Sequence, residues 1–181
     1  GRVEEPPRGA GTTDPETARA WGTAVHAYLQ RLVEGRIGAP EALARRLLEA
    51  GEVDPDRAGE LVAAGRRFEA SELGRRVARS DRVLAEIPVG RWREDAGSPT
   101  LLRGTVDLAF REDAGWILGD HKTHPAADEA TRAELAHRYR PQLDAYAAAW
   151  SAAAGEPVAV RGIWFAGPGV WRAVEGRAAD D

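Results

Sequence analysis

The sequence predicts an α/β fold in which a central mixed β-sheet is flanked by helices. Three observations carry this prediction. Apolar residues recur at helical spacing through roughly the first 80 residues, three strand-like segments follow, and a long helical stretch then separates them from two further strands. Helices, strands and a helix in this order favour a single layered α/β domain.

Start and stop signals place the first helices. Thr13-Asp14-Pro15-Glu16 is a helix-start signal, and the apolar spacing that follows continues up to Gly35. A second helix is predicted over residues 40–50. A third is predicted to open at Asp54-Pro55 and to carry an apolar face as far as Val77.

The hydrophobic pattern changes near Asp81. Gly- and Asp-containing turns separate the segments that follow, and Gly155 is placed to end the long helix. The pattern predicts strands over residues 83–89, 101–110 and 115–122, a helix over about 128–153, and strands over 158–165 and 170–174.

Length and composition predict one compact domain. The 181 residues are 43% apolar and 30% charged, which is typical of a globular protein. We expect a single domain over residues 13–176, between a flexible lead (1–12) and a short tail (177–181). No apolar run approaches the roughly 20 residues that span a bilayer, and no leader pattern is present, so we expect a cytoplasmic location and no membrane partner.

The residue types that are missing limit the possible metal chemistry. The chain has no cysteine, which excludes thiolate ligands and leaves histidine and carboxylate oxygen for a hard cation such as Mg²⁺ or Mn²⁺. The net charge of −4 gives no overall basic character that would indicate nucleic-acid binding. The chain also has no methionine, even at position 1, so we expect it to be a segment of a longer polypeptide.

Two carboxylates and a lysine are predicted to converge at one edge of the sheet. Strand alternation points Asp120 and Lys122 the same way, and Asp107 ends the preceding strand. Phosphodiester hydrolysis uses such a set, because carboxylates hold a divalent cation and an amine orients the attacking water. The alternative is that these are ordinary polar residues at strand ends.

Two helical pairs accompany this set. Gly22 and His26 lie one turn apart on one helix face, where a glycine lets another backbone approach closely. Gln142 and Tyr146 have the same spacing on the long helix. Taken alone, His26 could equally be structural and the second pair an ordinary polar and aromatic face.

Together these residues resemble a known family. Over about residues 15–165 the chain resembles the PD-(D/E)XK nuclease domain at the C-terminal end of RecB- and AddA-like DNA-repair helicase-nucleases. The motifs that carry the resemblance, in order, are Gly22-x-x-x-His26, Glu86-x-Pro88, Gly104-x-x-Asp107, Asp120-x-Lys122-Thr123 and Gln142-x-x-x-Tyr146.

The resemblance implies a restriction-endonuclease-like core and a set of roles. The catalytic residues would be Asp107, Asp120 and Lys122, the lysine positioning or activating the attacking water. Gln142 and Tyr146 would support the site from the helix behind it or contact DNA. The ligands of a catalytic Mg²⁺ or Mn²⁺ would be His26, Asp107, Asp120 and the main-chain carbonyl of His121.

The chain departs from the family at two positions. His121 stands where an aromatic residue is more common, and His124 where an acidic residue is common. Strand alternation predicts that the His121 side chain faces away from Asp120 and Lys122, so we do not expect it to replace a ligand. His124 is a candidate to tune the site. Glu86 is either near the site or simply a polar residue on the outer face of a strand.

The leading functional hypothesis is a metal-dependent deoxyribonuclease that acts preferentially on single-stranded DNA. By resemblance, a helicase domain of the same polypeptide or complex would supply that DNA. Arg103, Arg138 and Arg140 are candidates for phosphate contacts, whereas the arginine pairs at 66–67 and 75–76 are interpreted as solvated. The alternatives are a catalytically silent module that binds DNA or braces a larger assembly, and a stand-alone relative that acts on RNA or short DNA ends.

Overall fold

A five-stranded mixed sheet with helices on both faces confirms the predicted fold class. The computed structural model describes residues 14–95 and 98–174; the predicted lead (1–12) and tail (177–181) lie outside this range. The elements are α1 (Pro15–Val33), α2 (Pro40–Ala50), a 3₁₀ turn (Pro55–Arg57), α3 (Ala58–Ala70), α4 (Glu72–Val77), β1 (Val83–Asp95), β2 (Ser98–Glu112), β3 (Gly115–Lys122), α5 (Glu129–Ala154), β4 (Val158–Phe165) and β5 (Val170–Val174).

The strands lie in the order β1-β2-β3-β4-β5, with β3 and β4 parallel and the other neighbours antiparallel. Helices α1 to α4 cover one face of the sheet, and α5, which connects the two parallel strands, covers the other. Seven of the eight residues of β3 are buried because both faces of this central strand are covered. No helix in the described ranges is long and apolar enough to cross a membrane.

Helix α1 begins and ends where its sequence signals predict. The Asp14 carboxylate caps the helix by accepting a hydrogen bond from the Thr17 amide at 3.2 Å. Gly35, in a left-handed conformation, follows its last turn. The apolar side chains of the helix pack into the core beneath, and this packing fixes which face carries His26.

The prediction of one continuous third helix was wrong. The segment forms a 3₁₀ turn and two helices that break at Ser71. The Ser71 hydroxyl accepts a hydrogen bond from the Gly74 amide at 2.9 Å and so caps α4. A side chain at Gly74 would overlap the Phe68 carbonyl, so glycine allows the two helices to pack closely at this corner.

Strands β1 and β2 are longer than predicted and form a ribbon that continues past the rest of the sheet. β2 pairs with β3 only from Leu108 onward, so its first half pairs with β1 alone. Glu86, opposite Asp107, has a φ of 52°. This irregularity exchanges the faces of β1: Val83 packs on the α1 side of the sheet, whereas Ile87 packs on the α5 side. Asp107 thereby lies where β2 separates from β3.

Candidate active site

A groove of about 1100 Å³ lies at the carboxyl end of β3, between α1 and α5. We call it the site groove; its lining includes Arg19, Gly22, His26, Lys122, His124 and Tyr139. The end of the central strand is where β2 and β3 separate, so side chains there can turn toward one another without breaking a continuous ladder.

The first part of the site joins α1, β2 and β3. The Asp107 carboxylate accepts a hydrogen bond from the main-chain amide of His121 at 2.6 Å. Nε2 of His26 lies 3.1 Å from the main-chain oxygen of His121. These contacts hold Asp107 and His26 against the backbone of β3.

A second carboxylate reaches His26 from β1. Nδ1 of His26 lies 3.5 Å from an oxygen of Asp107 and 3.5 Å from Oε1 of Glu86. Suitable ligand atoms of His26, Glu86 and Asp107 all lie within 4.8 Å of one another. The left-handed backbone conformation of Glu86, which is uncommon for a non-glycine residue, accompanies this placement.

The second part of the site lies on the α5 side. Nζ of Lys122 lies 2.9 Å from Oδ2 of Asp120 and 4.2 Å from the centre of the Tyr139 ring. Asp120 and Lys122 therefore share a face, as strand alternation predicted. The His121 side chain packs on the opposite face against Phe68, with 6.1 Å between ring centroids, which also agrees with the prediction.

Charges in the site shift the acid–base behaviour of its groups. Burial disfavours a charged imidazole, but the carboxylates of Asp107 and Glu86 outweigh burial and raise the pKa of His26 to about 10. Complete burial lowers the pKa of the His121 side chain to about 4. Both nitrogens of His26 face oxygen atoms, so its protonated form suits this environment and the neutral form suits that of His121.

The two aspartates shift in opposite directions. Burial opposes the ionisation of Asp107, but its hydrogen bond with His26 and the nearby positive charge outweigh it, so the pKa of Asp107 is lowered. Burial and the neighbouring charge of Asp107 raise the pKa of Asp120, and Lys122 only partly offsets this. Burial favours a neutral amine at Lys122, yet the charge of Asp120 prevails and raises the pKa of Lys122.

The ligand atoms present fit a hard divalent cation. Oε1 of Glu86 is buried and, among the described residues, has no hydrogen-bond donor nearer than the 3.5 Å contact with His26. Carboxylate oxygens, a main-chain oxygen and one imidazole match the preferences of Mg²⁺ and Mn²⁺. Without a cation, protonated His26 places positive charge beside the same carboxylates.

Comparison with known proteins decides the family. The match to the PD-(D/E)XK nuclease superfamily extends over residues 2–179. The chain belongs to this superfamily. The mixed sheet flanked by helices agrees with the restriction-endonuclease-like core of PD-(D/E)XK nucleases.

The relatives that match this PD-(D/E)XK domain are large proteins named as subunits of an ATP-dependent helicase/nuclease. The relative from Acetivibrio thermocellus is 31% identical over 157 residues, which cover 80% of this chain and 12% of the relative. Those from Oceanobacillus iheyensis and Bacillus thuringiensis are 25% identical over 161 residues and 28% over 166, each covering 80% of this chain and 13% of the relative. The chain thus spans about an eighth of these curated relatives.

Glycine motifs of the PD-(D/E)XK domain permit close packing on both sides of the site. A methyl at Gly22 would lie 3.3 Å from the Thr123 hydroxyl, so the close neighbour is a side chain and not the backbone that the sequence led us to expect. A methyl at Gly104 would overlap the Tyr146 ring. Gln142 donates a hydrogen bond to the Tyr146 hydroxyl at 2.8 Å, and this pair lies behind β2 on α5.

The predicted phosphate-binding arginines have different surroundings. Arg138 pairs with Glu134 at 3.1 Å, and Arg140 lies 3.8 Å from Asp144, each within α5. Arg103 is exposed on the β1–β2 ribbon. His124 is exposed and lines the site groove.

The interpretation of the two arginine pairs as solvated is only half right. Arg66 and Arg75 are exposed. Arg76 instead makes a two-point pair with Glu112 at 2.8 and 2.9 Å, and Arg67 donates a hydrogen bond to the Ala166 carbonyl at 3.3 Å.

Sequence reasoning did not single out two residues of this region. Tyr139, whose ring lies beneath the Lys122 ammonium, is one helical turn before Gln142, and this spacing was the available signal. Arg57 lies over the Trp21 ring at 4.0 Å, a long-range contact that no local pattern indicates.

Proposed function

We propose that this chain is a metal-dependent deoxyribonuclease module that hydrolyses DNA phosphodiester bonds with Mg²⁺ or Mn²⁺. One observation carries the proposal: in a member of a nuclease superfamily, His26, Asp107, Asp120 and Lys122 lie around the end of β3 at the site groove. Lys122 is also the only lysine of the chain.

The proposed metal ligands come from four elements. They are His26, Asp107, Asp120 and the main-chain oxygen of His121, and Glu86 joins them because its carboxylate faces the same imidazole. A divalent cation, when bound, neutralises charge on the phosphate and lowers the pKa of a coordinated water.

The remaining polar groups orient the substrate and the attacking water. Asp120 and the Tyr139 ring hold the Lys122 ammonium in one place, where it can donate hydrogen bonds to a water or a phosphate oxygen. Gln142 and Tyr146 brace β2 from behind, which supports the position of Asp107. We assign these two residues a supporting role rather than a chemical one.

The substrate and partner follow from the relatives' names. Because matching proteins are named as subunits of an ATP-dependent helicase/nuclease, we propose that a helicase domain of the same polypeptide or complex delivers single-stranded DNA to this module. The groups expected for hydrolysis are all present, so we favour an active nuclease over a silent DNA-binding or bracing module.

The test is cleavage of labelled single-stranded DNA by the purified chain with Mn²⁺, Mg²⁺ or EDTA. Asp120→Ala and Lys122→Ala are expected to abolish metal-dependent cutting, and Asp113→Ala, an exposed turn residue, is the matched control. A double-stranded DNA and an RNA of the same sequence test the strand preference. A folded chain that does not cut with either metal, or one whose cutting survives Lys122→Ala, would refute the proposed function.

A further inference from the structure

A second, smaller cavity of about 340 Å³ adjoins the site groove. We call it the side cavity. Trp21, Arg57 and Thr123 line both spaces and form the wall between them. Thr123 directly follows Lys122, and Val25, which also lines the side cavity, directly precedes His26. A ligand in the side cavity is therefore a near neighbour of the candidate active site.

The dividing wall is a flat, fixed surface. The Arg57 guanidinium lies over the Trp21 ring with its central carbon 4.0 Å from the ring centre. Glu60 holds this guanidinium through two hydrogen bonds, at 3.1 Å to Nε and 2.8 Å to Nη2. An aromatic ring and a guanidinium held in one orientation are a favourable stacking surface for another planar group.

The opposite side of the cavity is lined by small residues. Ala63 and Ala64 of α3 and Ala166 and Gly167 after β4 contribute nothing larger than a methyl group, which leaves space between them and the wall. Arg67 stands at the rim, where its Nε donates to the Ala166 carbonyl at 3.3 Å and its Nη groups can donate to a ligand.

We propose that the side cavity binds one base of a single-stranded substrate, stacked on the Trp21 and Arg57 wall beside the site groove. This inference rests on the proposed function. The flat wall matches the face of a base, and the donors of Arg67 and Thr123 with the acceptor Glu60 match its polar edge. A phosphate would be disfavoured because the Glu60 carboxylate lies in the same lining. A base inside a duplex cannot enter, so the cavity selects unpaired strands.

The test separates base recognition from phosphate binding. Lys122→Ala, expected to bind without cutting, is titrated in Mn²⁺ with labelled oligothymidylate and with an abasic phosphodiester strand of equal length. The normal strand is expected to bind about 5- to 150-fold more tightly, the range for stacking one base on an aromatic side chain. Equal affinity for the two strands, or binding to neither, would overturn the proposal.

Cavity variants locate the preference. Ala63→Leu fills the side cavity and is expected to weaken oligothymidylate binding while leaving the abasic strand unaffected; Ala70→Leu, exposed on the same helix, is the matched control. Arg67→Gln, with its exposed neighbour Arg66→Gln as control, tests the rim without altering the core. Should Ala63→Leu and Arg67→Gln, both folded by circular dichroism, keep the full preference, the base would have to bind elsewhere.

Cleavage by the unmodified chain is measured in parallel. Cutting without any preference for the normal strand would reject the side cavity and leave the nuclease standing. A preference that Ala63→Leu removes, in a chain that never cuts, would reject the nuclease and keep the base site.

Discussion

Gly104→Ala is expected to destabilise the chain because the added methyl has no room. It would overlap Cε1, Cζ and the hydroxyl oxygen of the Tyr146 ring. The ring cannot easily move aside, since its hydroxyl accepts a hydrogen bond from Gln142 and its face packs in the cluster that contains Val106 and Trp150. The motif glycine is thus explained by packing and not by chemistry.

The expected size of this effect follows from two opposing contributions. Forcing an extra methyl into a packed site costs about 1–3 kcal/mol. The backbone at Gly104 is not in the left-handed region, so alanine also reduces the freedom of the unfolded chain, which offsets about 0.4–1 kcal/mol. The net loss should be about 1–2 kcal/mol, which for a domain of this size lowers Tm by about 2–8 °C.

A double-mutant cycle tests the cause directly. Urea unfolding is measured for the parent, Gly104→Ala, Tyr146→Leu and the double variant, because leucine removes the ring atoms that meet the methyl. The double variant should be more stable than the sum of the single losses predicts, by about 1 kcal/mol or more. Strictly additive losses would show that the methyl and the ring do not compete, and would refute the packing argument.

Three further predictions concern the metal, acid stability and Glu86. Mn²⁺ at about 100 times its Kd should raise stability by about 2.7 kcal/mol and Tm by about 5–10 °C in a thermal melt, and a shift of equal size in Asp107→Asn would contradict the ligand assignment. The hydrogen bonds from Arg76 lower the pKa of Glu112, so this pair should stabilise the fold above about pH 4.5 and lose that contribution as pH falls; because both side chains are partly exposed, Glu112→Gln should remove less than about 1 kcal/mol of acid-sensitive stability in urea titrations, and an unchanged pH profile would refute the pairing. Glu86→Gln should slow DNA cleavage more at limiting than at saturating Mn²⁺, whereas an equal loss at both would argue against a ligand role.

Much of the fold was readable locally. The capped start at Asp14, the breaks at Gly35 and Gly155, and the strand periods predicted α1, α2, β3, α5, β4 and β5 closely, because each signal depends on neighbours within a few residues. The break at Ser71 was missed because the apolar spacing continues across it, and only the contact of Gly74 with the Phe68 carbonyl shows why the helix turns. The full length of β1 and β2 was also missed, since a two-stranded ribbon needs no buried face to give a periodic signal.

For the site, the sequence by itself determined the residue types, their order and their side of each element. The alternation of β3 set Asp120 and Lys122 on one face and the His121 side chain on the other, and the structure confirms this.

Only the tertiary structure decided which groups meet across elements. The irregularity at Glu86, opposite Asp107, turns a third carboxylate toward His26, and the packing of α1 on the 3₁₀ turn brings Arg57 over Trp21. These contacts join residues far apart in the chain. Their geometry depends on how helices pack on the twisted sheet, which no short sequence period records.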